Sequence, residues 1–452
     1  ADYRIQKGSS PMEIQALRRR DQLLVGFTLF SMFFGAGNLI FPPQLGAQAG
    51  VDTWFAMAGL AVSAVFLPIL GVIAVVRAGS LTELASRVHP AFATVFTVLI
   101  YLSIGPCLAI PRTASTSFEM AVPPFLPSGT PTMWFQFGYS LLFFAAAFLV
   151  ALQPEKLTGR LGKFLCPMLL LLVGAMFVGS LVHPVGTYGP TLPPYDQIPA
   201  VQGFLTGYQT MDTIAALNFG IVIVMNIRAL GVTDQGSVLR ATVRAGGIAT
   251  VLFLAVYSML AHIGALSGAA FPGMTNGAVT LTNLVGAIFG HWGTVILAAI
   301  FFIACFNTCV GLISSCSAYF HTLVPRVPAP AWAAFFALLS MVISNAGLDQ
   351  ILKISVPILN ILYPPAIVLI LLSFLPQCIQ RFSAIYPVGI AFTSAASILY
   401  AARDLGLSIP ALDRILKAVP LSGMGLGWVL PALAGVLLGV LLSVTLPSKG
   451  KD

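Results

Sequence analysis

Apolar residues run along this chain in stretches of roughly 20 residues, cut by short polar, proline-rich or charged breaks. The stretches fall at 22–48, 53–76, 91–121, 132–152, 164–182, 202–227, 243–266, 290–323, 331–347, 354–375, 384–402 and 428–447. They read as twelve membrane-spanning helices, since a helix crosses the hydrocarbon core with about 20 apolar residues. Segments such as Met168 to Val182 and Pro365 to Leu375 are almost continuously apolar, which excludes the short alternating strands of a membrane β-barrel.

Composition narrows the class further. Of 452 residues, 58% are hydrophobic and 8% charged, against about 25% charged in an ordinary soluble domain. With a mean hydropathy of +0.95 and no long polar segment, the chain is neither a soluble globule, nor disordered, nor a soluble enzyme on one anchor. Six cysteines lie in or at the ends of apolar runs without a C-x-x-C pair and read as packing residues. Phosphate-loop, H-E-x-x-H and G-x-S-x-G patterns are absent, so no enzyme and no resident cofactor is expected.

Charge placement orients the spans. With the N-terminus inside and strict alternation, 17 of the 22 Lys and Arg fall on the inner side, among them Arg18, Arg19, Arg20, Arg77, Arg87, Arg228, Arg240, Arg244 and Arg326. Lys353, Arg403, Arg414 and Lys417 fall outside, and Arg112 lies within the third span. The loops at 183–201 and 267–289 carry neither residue type. Both termini are therefore expected in the cytoplasm, and the net charge of +8 reads as a basic rim against anionic lipid, with no nucleic-acid partner. The first apolar run follows three arginines and holds polar residues at depth, so it is expected to stay in the mature protein.

Two spans are interrupted. Gly35, Ala36, Gly37 and Asn38 weaken the first in its middle, and unpaired backbone survives at that depth only when buried in protein or lining a cavity. A glycine-rich packing face is the alternative. Five spans later Gly207, Tyr208, Gln209, Thr210 and Asp212 interrupt the sixth, and a carboxylate in the bilayer is a functional candidate by default. Interrupted helices at matching positions of two five-helix halves point to a secondary transporter, a rule for which the leucine-transporter fold is the standing example. An odd number of spans per half gives the halves opposite orientation. The expected order is a cytoplasmic segment 1–20, a first repeat 21–182, an extracytoplasmic loop 183–201, a second repeat 202–375, two further helices in 376–447 and a cytoplasmic tail 448–452.

Free N–H groups at such breaks suit an anion, while carbonyls suit Na+ or an ammonium, so a zwitterionic amino acid with a cation fits both. Arg112 and Glu119, about 10 Å apart along the third span, read as gating or coupling candidates. Ser314 and Ser315 on the eighth span offer hydroxyl ligands for Na+, although serines in membrane helices often bond their own i−4 carbonyl.

Gly35 to Pro43, Ala109-Ile110-Pro111-Arg112-Thr113-Ala114 and Gly207-Tyr208-Gln209-Thr210-Met211-Asp212 closely resemble the bacterial branched-chain amino acid:cation symporter family, over essentially the whole chain. The resemblance implies uptake of leucine, isoleucine and valine with Na+ or H+ across the bacterial cytoplasmic membrane. It also implies an all-α fold of twelve helices with a 5+5 inverted repeat, broken helices 1 and 6, and two extra helices. In sodium-coupled relatives of that fold, the positions matching Ala36 and Gly37 turn their N–H groups to the substrate carboxylate. Carbonyls of Ser31 and Phe34 would share the cation with Ser314 and Ser315, with Ile313 standing where a threonine is often found. Carbonyls around Gln209 and Thr210 would accept from the substrate ammonium, and Asp212 would complete the site or carry a proton. Tyr101 or Ile104 would cover the substrate, and Ala215, Ala216 and Phe219 would wall its side chain. A channel is the alternative from another class, but it predicts a continuous polar path rather than two breaks near mid-depth.

Overall fold

Prolines, glycines and capping side chains set where the helices of this chain start and stop. The computed structural model describes residues 17–445 except 128, 153, 184, 274–275, 381, 408–413 and 415. The expected cytoplasmic tail 448–452 and nearly all of the expected segment 1–20 lie outside the described residues.

The first interrupted span is α1 (Arg19–Phe33) followed by α2 (Ala36–Ala49). The second comprises α3 (Thr53–Ala61) and α4 (Leu67–Ala78), joined by a wide π-type turn at Val62–Phe66. After a short α5 (Leu81–Ser86), α6 (Pro90–Leu102) and α7 (Ala109–Ala121) form the third, bent at Gly105 and Pro106. Pro106 has no N–H to continue the ladder, so the bend has a local cause. Next come α8 (Met133–Ala151), α9 (Pro154–Val182), α10 (Pro199–Tyr208), α11 (Asp212–Ala229) and α12 (Gln235–Ala270). Then follow α13 (Gly277–Leu323), α14 (Ala329–Ser344), α15 (Leu348–Ser373), a short α16 (Gln377–Gln380), α17 (Ile385–Asp404) and α18 (Val429–Thr445).

Every one of the twelve apolar stretches is carried by helix. Among the described residues eight helical stretches are long and apolar enough to cross a membrane, with shorter apolar helices at Pro167–Val182, Ala329–Ser344 and Val429–Thr445. One expectation needs correction. The stretch 267–289, read as a loop, is helical up to Ala270 and again from Gly277, where the Asn276 side chain accepts from the amides of Ala278 and Val279 at 3.0 and 3.2 Å. This helix turns into the eighth span at Gly290, whose φ of +64° is a conformation that favours glycine.

Two groups of helices frame the interior. α2 packs along α12, α3 along α10 and α4 along α11, while α7 packs along α13 and α8 along α14. Small residues allow backbones to touch in the first group, as membrane helices require in the absence of a hydrophobic drive between them. A Cβ on Gly264 would strike the carbonyl of Pro43, one on Gly46 that of Ala261, one on Gly59 that of Ala200 and one on Gly203 that of Ala56. Large apolar side chains such as Trp134, Leu142, Leu171 and Leu437 point outward and are mostly exposed, as a lipid-facing surface demands.

Candidate functional site

The first break is held by its own sequence and by two neighbouring helices. α1 ends at Phe33, and Phe34 and Gly35 are extended before α2 begins at Ala36. Asn38, in the first turn of α2, accepts the Gly35 N–H on its Oδ1 at 2.9 Å and so caps the helix. The amides of Ala36 and Gly37 donate to no backbone or side-chain group of the described chain. Both glycines are needed for close approach. A Cβ on Gly35 would sit 3.0 Å from Thr308 Oγ1, and one on Gly37 2.8 Å from Arg112 Nη2 and 3.2 Å from the Thr210 carbonyl.

The second break faces the first. α10 ends at Tyr208, Gln209 and Thr210 follow, and Met211 takes a left-handed conformation (φ 67°) that costs a non-glycine residue energy and persists only where surroundings impose it. Asp212 opens α11, with its carboxylate at the positive end of that helix. Its Oδ2 accepts from Asn38 Nδ2 at 2.7 Å and from the Tyr257 hydroxyl at 3.1 Å, and Asn38 Nδ2 also reaches the Tyr257 oxygen at 2.5 Å. All three side chains are buried. Asp212 Oδ1 accepts no hydrogen bond among the described residues, and the carboxylate lines a small cavity between the breaks.

Arg112 enters the same cavity from α7. It is 3% exposed, and its Nη1 and Nη2 donate to the carbonyls of Gln209 and Thr210 at 2.5 and 3.4 Å. Its guanidinium carbon also lies 5.6 Å from the centre of the Phe41 ring. It forms no ion pair with Asp212; among the described residues the ion pair is Arg403 with Asp404, at 3.0 Å. A cation and an anion thus share one cavity without touching.

Of the residues singled out from the sequence, Gly35, Ala36, Gly37, Asn38, Ile104, Arg112, Thr210, Asp212, Ala215 and Phe219 line this cavity. Others do not. Tyr101 stacks on Tyr319 with ring centres 3.8 Å apart, so of the two covering candidates Ile104 is the one at the cavity. Tyr208 stacks on Tyr363, Gly207 lies against Ser63, and Ala216 turns toward Gly71. Gln209 contributes its carbonyl, and that oxygen, like that of Thr210, accepts from Arg112. Glu119 is seven residues beyond Arg112 and outside the lining.

The residues expected to ligate a cation lie away from this cavity. Ser31, Phe34, Ser314 and Ser315 are absent from the lining, and the Ser315 hydroxyl bonds back to the Leu312 carbonyl at 3.3 Å. Thr308 is the hydroxyl on α13 that faces the break, six residues and about 9 Å before Ser314. Sequence reasoning also missed Tyr257. The signal for each was a lone hydroxyl at membrane depth, outweighed in the eighth span by the paired serines.

Comparison with known proteins agrees with this architecture. Residues 18–446 match a protein family described as branched-chain amino acid transport protein. The chain is 39% identical over 433 residues to the branched-chain amino acid permease BraB of Bacillus subtilis, covering 95% of this chain and 97% of that one. It is 37% identical over 433 residues to the permease BrnQ of Escherichia coli K12, covering 94% and 96%. Among solved structures it resembles MHP1, a nucleobase-cation-symport-1 family transporter, in a closed conformation, with a TM-score of 0.64, 14% identity and 95% and 94% of the two chains covered. It also resembles MhsT in complex with L-phenylalanine, with a TM-score of 0.52, 14% identity and coverage of 95% and 99%. At these identities the structural likeness establishes the fold.

Proposed function

Because the chain belongs to the family of branched-chain amino acid transport proteins, a family of membrane carriers and not of enzymes, we propose that it imports leucine, isoleucine and valine by symport with Na+ through alternating access. The observation that carries this reading is the pair of facing breaks around a buried cavity holding one cation and one anion that do not touch. A zwitterion complements both. Its carboxylate meets the amides of Ala36 and Gly37 at the positive end of α2, and its ammonium meets Asp212 Oδ1. With the Gln209 and Thr210 carbonyls occupied by a guanidinium, a second cation on those oxygens would be repelled, which leaves Asp212 as the ammonium partner. Ile104, Ala215, Phe219 and Leu312 give the branched side chain an apolar wall.

For the coupling cation, this reading takes the Thr308 hydroxyl, which faces Gly35, as the ligand from α13 in place of Ser314 and Ser315, with the carbonyls of Ser31 and Phe34 at the end of α1 as its partners. Alternating access draws on the packing: α2 on α12 and α3 on α10 form close backbone contacts, α7 packs along α13 and α8 along α14, and the start of α13 meets α2 where Gly277 lies against the Ile40 carbonyl. The 5+5 inverted repeat, cytoplasmic termini and residence in the bacterial cytoplasmic membrane belong to the same reading, the last two on the placement of Lys and Arg.

Coupling to H+ is the second reading, favoured by a buried carboxylate in the cavity with one oxygen free of hydrogen bonds. Radiolabelled leucine uptake into proteoliposomes, with inward Na+ and pH gradients imposed separately and isoleucine, valine or alanine as competitors, distinguishes them. Concentrative uptake under the Na+ gradient is the expected result. Drive by the pH gradient alone would move coupling to Asp212, and failure under both would remove the symport reading and leave a channel to be tested.

A further inference from the structure

We propose that Arg112 is a receptor for the substrate's carboxylate, and that the carrier accepts amino acids as acids by gripping that group between Arg112 and the start of α2. The inference deepens the reading of the cavity as an amino acid site and rests on it.

A guanidinium carries five N–H donors in a rigid planar fork. Arg112 spends one from Nη1 on the Gln209 carbonyl and one from Nη2 on the Thr210 carbonyl. Its Nε is buried and has no partner. By the fixed geometry of the group, the Nε–H and the second Nη2–H lie along one edge of the plane, the edge that pairs side-on with the two oxygens of a carboxylate. Leaving a buried charged donor unmatched is costly, so a vacancy here points to an acceptor that arrives with the ligand.

Position specifies the acceptor. Nη2 lies 2.8 Å from where a Cβ on Gly37 would stand, so the Nη2 end of the guanidinium adjoins the first turn of α2. The amides of Ala36 and Gly37 start that turn and have no partners among the described residues. Two amides, a helix dipole and the Nη2 end of the guanidinium therefore meet at one place, and the absence of a side chain at residue 37 leaves room there. The one carboxylate of the chain in this cavity, Asp212, is turned to Asn38 and Tyr257 and makes no ion pair with Arg112. Carbonyls of the second break and the Phe41 ring hold the guanidinium in place, so the edge is fixed before the ligand enters.

The test compares leucine with leucinamide, in which a neutral amide replaces the carboxylate, for binding to the purified carrier in lipid nanodiscs. The wild type is expected to bind leucine more than tenfold tighter than leucinamide. Arg112→Met should weaken leucine roughly ten- to a hundredfold while leaving leucinamide within about threefold, collapsing the preference. Arg112→Lys, which keeps the charge and loses the fork, should retain an intermediate preference and serves where the methionine variant does not fold. Equal weakening of both ligands, or an undiminished preference in either variant, would assign Arg112 to holding the second break and overturn the proposal. A folded wild type that binds neither ligand would overturn the amino acid reading itself, which the variants do not enter.

Discussion

Gly37 is where the two breaks and Arg112 come closest, so a single methyl group there tests the geometry of the cavity. A Cβ at this position would stand 2.8 Å from Arg112 Nη2 and 3.2 Å from both the Cα and the carbonyl oxygen of Thr210, where ordinary contacts lie at 3.4–4 Å. The guanidinium, at the end of a flexible side chain, has to retreat by about half an ångström, and the Thr210 backbone has to give as well. Retreat breaks the 3.4 Å bond to Thr210 and stretches the bond to Gln209. Losing one charged hydrogen bond costs about 1.5–3 kcal/mol and overpacking about 1–3 kcal/mol, and the two share one displacement rather than adding. For Gly37→Ala we expect about 2 kcal/mol, roughly a thirtyfold rise in the Kd for leucine. Gly37→Val, with two further methyl groups aimed at Thr210, should abolish measurable binding. Neither change adds a polar group, so membrane insertion and expression should match the wild type. Equilibrium binding of radiolabelled leucine to the purified variants reads the effect directly. A valine variant that binds leucine within threefold of the wild type would show that residue 37 faces no ligand.

Four further outcomes are expected. Thr308→Val, which removes a hydroxyl at constant volume, should raise the Na+ concentration for half-maximal leucine uptake by roughly tenfold or more, while Ser314→Ala and Ser315→Ala stay within about twofold; the reverse order would restore the serines as ligands. Asp212→Asn should lower leucine affinity by at least about tenfold by removing the charge opposite the ammonium, and unaltered affinity would return the residue to its helix-capping and hydrogen-bonding role. Gly264→Val drives a side chain into the Pro43 carbonyl between α12 and α2, at a cost of about 3 kcal/mol, and should lower the thermal midpoint in detergent by several degrees; an unchanged midpoint would mean these helices are not in contact. Asp234, at the start of α12 outside the spans, accepts the Ser237 N–H at 2.8 Å, and the amides of this turn hold its carboxyl below the usual range. A lowered value makes the cap stabilising above the ordinary aspartate range and lost as pH falls through the lowered one, so the protection factors of amides in the first turn of α12, corrected for the intrinsic pH dependence of exchange, should fall only on acidification.

The span boundaries and both breaks were legible because they depend on neighbours in sequence. An apolar run of about 20 residues spans a bilayer whatever packs on it, and glycines beside Asn38 or Asp212 weaken a helix locally. Even the helix inside 267–289 had a local sign in Asn276, a capping residue just before it, which the polar character of the segment obscured. The partners of these local features were not legible. That the Gln209 carbonyl is already engaged could not be read from its surroundings, because the donor, Arg112, is 97 residues away on another helix.

The same logic explains why Thr308, rather than the paired serines, stands at the first break. The motif around Ser314 was judged by its composition, whereas a ligand is selected by which residue of α13 stands level with the break in α1. That level depends on how α13 enters the membrane, which is fixed by the bend at Gly290 and by α13 packing on α7. Thr308 meets Gly35 for this reason, and Ser315, about two turns on, bonds its own helix instead. Arg112 follows the same rule in reverse. Seen along its own helix it is a costly charge near two prolines and suggests a gate; seen across the cavity it is a donor that holds the second break, leaves its Nε without a partner and brings Nη2 to the start of α2. A charge buried in the bilayer is explained by its partners. Among the described residues Nε has no such partner, and the proposal supplies it with the carboxylate of an amino acid.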